Sequence, residues 1–313
     1  MTGVEMRPDI SAIVVSWNTR DLLVRCLAAL DRHRASGRTM EIIVVDNGST
    51  DGTAELVRRE RADVRLIANP DNVGYTRANN QGIAAARGRY LLLINSDAFL
   101  EPLALERMLE DIETDPRAAI VGPRLVFGDG SWQRWTAGRA PSLRSAASHY
   151  LFLERIAPRS RLFGGVFLGD DTRVARTVDW VSSACLLARA DAIAEVGGMD
   201  EQLFVYMDDV DLCQRLRDRG WKIRYVPAAQ VVHLMGGGMG GIASAAALRS
   251  FNAYFSRRHG RVALAALRAL QLAGFSMRAA AFGAAALLRR EPALRARAGA
   301  HWRSLRLVIG GAR

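Results

Sequence analysis

The chain has 313 residues, enough for one large domain or one and a half with a full apolar core. Half of the residues are hydrophobic and 24% are charged, the balance of a folded globular protein and not of a disordered one. The net charge of +11 is uneven: from Gly241 onward there are 13 Arg and a single acid, Glu291, whereas the preceding part carries 30 basic and 31 acidic residues. That basic end lacks the aromatic-basic interleaving of nucleic-acid binders, so no nucleic-acid partner is expected.

Residues 10–16 form an apolar, β-branched run that predicts a buried strand, and Asn18-Thr19-Arg20-Asp21 opens a helix reaching Leu30. Residues 41–45 predict a second buried strand, which ends at Asp46-Asn47-Gly48-Ser49-Thr50-Asp51-Gly52 before a helix from Thr53. A short strand at 64–68, a helix at 79–87 and a fourth buried strand at 90–94 follow. Continuous apolar strands alternating with helices define an α/β class, a Rossmann-like and mostly parallel sheet with flanking helices. Such sheets bind ligands at the carboxyl ends of their strands, where polar residues stand here. Residues 127–178 lack a clear period and predict loops and short helices. Beyond them come a strand at 178–187, helices at 190–196 and 208–219, and strands at 222–226 and 230–233. Residues 235–241 read as a glycine hinge, and everything after them as helical. The expected organisation is one α/β domain over 1–240 and a basic helical extension over 241–313.

Asp208, Asp209 and Asp211 fall within four positions between apolar residues. A helix N-terminus welcomes carboxylates, yet three exceed what capping needs, and like charges this close raise one another's pKa. A general base is the expected surplus role, with Asp209 first and Asp208 beside it. Asp46, at a strand end, has the chemistry to accept the imide N–H of uracil or thymine. The plainer alternative is a βα turn with Asp51 as helix cap. Asp97, in Asn95-Ser96-Asp97, is either part of an ordinary strand-ending turn or a hard oxygen ligand to Mg²⁺ or Mn²⁺ bridging substrate phosphates. His233, after an apolar strand and before glycines, is a packed histidine or a second ligand. The 46–52 stretch is neither a P-loop nor a GxGxxG fingerprint.

Six stretches occur in order: IVVSWNTRDLLVRCLAAL, EIIVVDNGSTDGT, NPDNVGYTRANNQGI, YLLLINSDAFLEP, VDWVSSACLLARADAIAEVGGMDEQLFVYMDDVDLCQRLRDRGWKIRYVP and VVHLMGGG. Together they resemble the family 2 glycosyltransferases of GT-A fold, in particular their rhamnosyltransferase-like branch, over residues 10–238. The resemblance implies transfer of a sugar from a nucleotide-diphosphate donor to a hydroxyl of a lipid-linked or polysaccharide acceptor, with inversion. dTDP-L-rhamnose is the favoured donor and UDP-sugars come next. By position it implies Ser16, Asn18 and Asp46 around the nucleotide base. Asn72, Arg77 and Asn79 would approach ribose and diphosphate, with Arg77 a phosphate partner. Asp97 matches the metal-binding acid of the DxD motif, whose first acid is replaced by Asn95, so coordination leans on Asp97, His233 and the donor. Ser183 stands beside the donor sugar where many relatives carry glycine. Asp208-Asp209 stands where the family often has Glu-Asp, the second position being the usual base.

Three rival readings are weaker. A sugar nucleotidyltransferase calls for a glycine- and Lys/Arg-rich loop after the first strand, which Ser16-Trp17-Asn18-Thr19 is not. A degenerate, membrane-bound scaffold would not need Asp97, Asp209 and His233. A glycosidase would leave the nucleotide elements idle. The N-terminus has no basic-then-apolar leader, and no run of about 20 uncharged apolar residues predicts a membrane span. Cys26, Cys185 and Cys213 follow no metal or redox spacing, which suits thiols in the cytoplasm. The apolar segment 262–288, interrupted by Arg268 and Arg278 and followed by further arginines, suits a helix lying on an anionic membrane at its inner face. A helical pair packed on the catalytic domain with a solvated Arg face is the alternative.

Overall fold

The computed structural model describes residues 7–34, 37–156, 165–168, 173–203, 206–234 and 245–310; the glycine hinge at 235–241 lies outside them. β1 (Ile10–Ser16), α1 (Arg20–Arg34), β2 (Met40–Asp46), α2 (Thr53–Glu60), β3 (Val64–Ala68), α3 (Tyr75–Ala85) and β4 (Tyr90–Asn95) alternate as the apolar runs predict. α3 starts a turn earlier than its apolar period suggests, because buried polar residues mask its first turn: Thr76 donates to the Leu203 carbonyl and Asn79 to that of Tyr75. Then come β5 (Ala98–Leu100), α4 (Ala104–Thr114), β6 (Ala118–Val126), a 3₁₀ turn (Arg134–Thr136), β7 (Ala137–Gly138), α5 (Leu143–Tyr150) and α6 (Leu153–Ile156). β8 (Arg176–Val178), β9 (Trp180–Val181), β10 (Cys185–Arg189), α7 (Ala190–Val196), α8 (Asp208–Asp218), β11 (Lys222–His233), α9 (Ala245–Arg289) and α10 (Pro292–Ile309) complete the chain.

The chain divides into two compact units, Met1–Gly138 with Asp171–Gly238, and Arg139–Asp170 with Met239–Arg313. The first holds a sheet of order β3-β2-β1-β4-β10-β6-β11-β5, with β8 added beside β11. β3, β2, β1 and β4 are parallel, β10 runs antiparallel between β4 and β6, and β5 is antiparallel to β11. The strand expected over 178–187 is therefore three pieces: β8 joins β11, β9 pairs with β7, and β10 enters the main sheet. Conversely, the strands expected at 222–226 and 230–233 are one, carried across Pro227 by a register shift against β6.

Both faces of the sheet are covered. Ala12, Val14 and Leu92 pack with Leu23, Leu27, Leu105 and Met108 of α1 and α4, while Ile43 and Val45 pack with Ala78 of α3. Each such Val, Leu, Ile or Met side chain contributes about 1.5–3 kcal/mol by leaving water. α3 lies so close to β1 that a Cβ at Gly82 would fall 2.3 Å from Cγ2 of Ile13. All three cysteines are buried free thiols.

The second unit is helical, with Tyr150, Phe255, Leu267, Phe275, Leu305 and Val308 in its core. α9 breaks at Gly260, whose φ of 82° places it in the left-handed region. From Ala246 to Arg289 this helix is long and apolar enough to cross a membrane by length and composition, which the lack of an uncharged 20-residue run had not led one to expect. The two arginines that interrupt it do not form an outer charged face. Arg278 is buried, donates to the carbonyls of His149 and Tyr150, and sits 4.0 Å over the Phe152 ring. Arg268 is partly buried, and every exposed position from Val262 to Leu288 is uncharged.

Candidate functional site

The sheet register brings most of the singled-out residues to one edge. Ser16 pairs with Asp46 across β1 and β2, Val15 pairs with Asn95 across β1 and β4, and Ile94 pairs with Cys185, two residues beyond Ser183. His233 pairs with Ala98, directly after Asp97. This is the carboxyl edge of the parallel strands, where such sheets take ligands.

At the β2 end, Asp46 is 2% exposed. Its Oδ2 is 3.4 Å from the Ser49 amide, and its Oδ1 is buried with no partner. Burial pushes its carboxyl above the usual range. Around it, Asn18 accepts from the Thr50 amide at 2.8 Å, in a left-handed conformation that Asn tolerates, and Asp51 accepts from the amides of Arg20 and Thr53. Asn47, which the sequence did not single out, donates to Asn72 Oδ1 at 2.9 Å and accepts from the Val73 and Asn69 nitrogens. Gly48 makes that loop approach possible, since a Cβ there would meet the Asp71 backbone at 2.6 Å. Asn72 is thus fastened to the loop that follows Asp46.

Beside it runs a chain of hydrogen bonds. Ser183 Oγ donates to Asp208 Oδ2 at 2.8 Å, and Tyr75 Oη lies 2.9 Å from both the Ser183 carbonyl and Asn95 Oδ1. Tyr75 was not anticipated as a site residue, although it lies in the NPDNVGYTRANNQGI stretch. The acidic trio divides by role. Asp211 pairs with Arg215 at 2.7 Å, and that guanidinium braces the carbonyls of Val196 and Gly198. Asp208 is held by Ser183. Asp209, partly buried, accepts from the neighbouring Val210 amide and from the Ser183 backbone. Burial first, and the Asp208 carboxylate second, raise the Asp209 pKa well above the carboxylate range. Tyr206 and Met207, immediately before α8, both have positive φ, a strained entry that aims this helix end.

The third group is Asp97, His233 and Gln133. Asp97 Oδ1 is 3.4 Å from His233 Nε2, and both side chains are nearly buried. His233 Nδ1 lies 3.0 Å from Gln133 Oε1, while Gln133 Nε2 donates to the carbonyls of His233 and Val126. Among the described residues no three His, Cys, Asp or Glu side chains gather as a metal cage. Asp97 and His233 still fit a divalent cation, because 3.4 Å is the span of two ligands sharing one ion at bonds of about 2.1 Å.

Two residues are placed differently from the rest. Asn79 is buried and bonds its own helix. Arg77 is 61% exposed, lies 3.6 Å from Glu201, and lines a 760 Å³ cleft with Gly88, Ala190 and Asp191, towards the amino end of β4.

Comparison with known proteins shows the family and the fold. The sequence profile of glycosyl transferase family 2 matches residues 11–176. An N-acetylglucosaminyl-diphospho-decaprenol L-rhamnosyltransferase of Mycobacterium tuberculosis is 33% identical over 239 residues, covering 73% of this chain and 76% of that protein. A pre-mycofactocin glycosyltransferase of the same species is 30% identical over 72% of this chain and 42% of its own length. Among solved structures, a mannosyltransferase of Pyrobaculum calidifontis, in complex with GDP-Man and Mn²⁺, superposes with a TM-score of 0.53 at 18% identity over 98% of this chain and 88% of that one. GalNAc-T7 with UDP, GalNAc and Mn²⁺ gives 0.57 at 15% identity over 82% and 52%. The fold is GT-A. The chain belongs to glycosyltransferase family 2.

Proposed function

We propose that this glycosyltransferase moves L-rhamnose from dTDP-L-rhamnose to a hydroxyl of a lipid-linked acceptor, with inversion at the anomeric carbon. The observation that supports it most is the convergence of Asp208, Ser183, Tyr75 and Asn95: Ser183 Oγ donates to Asp208, and the Tyr75 hydroxyl lies 2.9 Å from both the Ser183 carbonyl and Asn95 Oδ1, two residues before Asp97. It couples the proposed base helix to the proposed phosphate end. The unpartnered Oδ1 of Asp46 suits the imide N–H of thymine or uracil, and the rhamnosyltransferase relative named above supports the donor sugar and the diphospho-lipid acceptor.

In this mechanism Asp209 accepts the proton of the acceptor hydroxyl as that oxygen attacks from the face opposite the diphosphate. Its raised pKa brings it towards the working pH. Asp208, fixed by Ser183, keeps the neighbouring charge that holds the Asp209 pKa up. Asp46 orients the base through its unpartnered acceptor oxygen. Asp97 and His233 would hold Mg²⁺ or Mn²⁺, which when bound supplies neutralisation of charge on the leaving diphosphate.

The helical unit has the surface of a membrane-seated element. From Val262 to Leu288 the outward side of α9 is uncharged, with Val262, Leu287 and Leu288 exposed between the exposed Arg261 and Arg289, and α10 adds exposed Trp302 and Ile309 among arginines. An apolar face rimmed by cations matches an anionic bilayer, each cation adding about 1 kcal/mol. Such a surface supports a peripheral seat at the cytoplasmic face, where a lipid-linked acceptor is reached.

The test is incubation of the full chain with dTDP-L-rhamnose and an N-acetylglucosaminyl-diphospho-lipid. Release of dTDP that requires the acceptor, with a product of inverted anomeric configuration, is the expected result. Consumption of a nucleoside triphosphate with sugar phosphate would instead identify a nucleotidyltransferase.

A further inference from the structure

The structure assigns to Gln133 the positioning of His233 for cation binding, by fixing which ring nitrogen carries the proton. This rests on the reading of Asp97 and His233 as the cation pair. Gln133 is fully buried, and it stands at the base of a tight hairpin in which Phe127 accepts from Gly130 and donates to Ser131, and Val126 bridges to Trp132. The hairpin folds the chain back onto the end of β6, whose parallel partner is the end of β11 at Val232. Gln133 is thereby pinned against the backbone and ring of His233.

The proton placement follows from its partners. Gln133 Nε2 faces two backbone carbonyls, of His233 at 2.5 Å and of Val126 at 3.3 Å, which only accept. That end of the amide is therefore the NH₂, and Oε1 is the carbonyl oxygen. Oε1 in turn only accepts, so the His233 Nδ1 at 3.0 Å must be the donor. A neutral ring protonated at Nδ1 presents the lone pair of Nε2, and Nε2 is the atom that faces Asp97 Oδ1 at 3.4 Å. This separation exceeds an ordinary N–H···O bond, so the two groups do not satisfy one another. A lone pair set against a carboxylate is repulsive by itself and becomes favourable with a cation between them. The bond from Gln133 thus commits His233, before any ligand arrives, to the tautomer a cation needs, the usual task of the group behind a ligating histidine.

Two measurements on the full chain test this. Long-range ¹H–¹⁵N NMR of ¹⁵N-histidine protein without metal should show His233 protonated at Nδ1 and bare at Nε2; the Nε2-protonated tautomer would overturn the proposal without any variant being made. Mn²⁺ titration by water-proton relaxation should then show Gln133→Met, which keeps the bulk and removes the acceptor, binding about 10–100-fold more weakly. Thermal unfolding shows that the variant is folded. Gln133→Glu restores an acceptor to Nδ1 and should recover part of the affinity. Asp97→Asn separates the layers. If it weakens Mn²⁺ binding while Gln133→Met does not, the proposal fails and the cation pair stands; if neither does, both fail.

Discussion

Ser183 Oγ stands 2.8 Å from Asp208 Oδ2, and both residues are almost wholly withdrawn from water. The hydroxyl stabilises a carboxylate whose pKa burial raises and this bond lowers. Ser183→Ala leaves the carboxylate short of a donor, at a cost of about 1–3 kcal/mol. The loss should be larger at pH 8 than at an acidic pH where protonation relieves the buried charge. Chemical denaturation at the two pH values measures it; equal losses would show that the bond does not serve the ionised form.

Asp209 is the proposed base, and Asp209→Asn should lower kcat by about 10²-fold or more while leaving donor binding in place. Its pH profile has a definite sign. In the unfolded chain an aspartate titrates near 3.8, and in the fold Asp209 titrates higher. Between those values the native state holds more protons, so stability falls as pH rises. The same deprotonation switches the base on, so wild-type turnover climbs over the interval in which stability declines. Asn at 209 should gain melting temperature relative to wild type as pH rises from 4 to 8. A gain that is constant with pH would contradict the raised pKa.

Much of this was legible beforehand because it depends on local pattern. Residues 12–15, 42–45 and 91–94 are apolar at every position, which a doubly covered sheet explains, and Gly220 marks the end of α8. The acidic cluster announced itself by excess charge. What the sequence did not disclose is partnership across long separations. Gln133 lies 100 residues from His233, and Tyr75 lies 108 from Ser183. Neither belongs to a charged or periodic pattern, so nothing local distinguishes them from solvent-facing polar residues. Asp211 looked equivalent to its neighbours until Arg215 was seen to bind it. Arg278 interrupts an apolar run and reads as outward-facing, but the carbonyls of His149 and Tyr150, brought near only by tertiary packing, draw it inside.

Asp46 should discriminate between nucleotides by the hydrogen on N3. Its carboxylate accepts the N3–H of thymine or uracil, whereas cytosine N3 carries no hydrogen and faces the carboxylate as a second acceptor, so dTDP and UDP should bind about 10-fold or more tighter than CDP. Asp46→Ala should abolish the preference and leave the melting temperature little changed, because one oxygen has no protein partner to lose. Calorimetric titration with the three nucleotides checks both statements; an undiminished preference in the variant would remove Asp46 from the base pocket.

The exposed pair Leu287 and Leu288, 75% and 86% accessible, should carry lipid contact. Replacing both with Glu forfeits about 1.5–3 kcal/mol for each buried leucine, and it adds charge that an anionic leaflet repels. Co-flotation with phosphatidylglycerol vesicles should fall by at least tenfold, with turnover on a soluble acceptor unchanged. Flotation equal to wild type would assign this face to another partner.

The most direct measurement is the anomalous-scattering position of Mn²⁺ in crystals of the protein grown with dTDP. The expected peak lies within bonding distance of Asp97 Oδ1 and His233 Nε2, with the diphosphate on the same ion and the thymine against Asp46. A peak held by other residues, or dTDP seated away from this strand edge, would contradict the assignment of these groups to one sugar-nucleotide site.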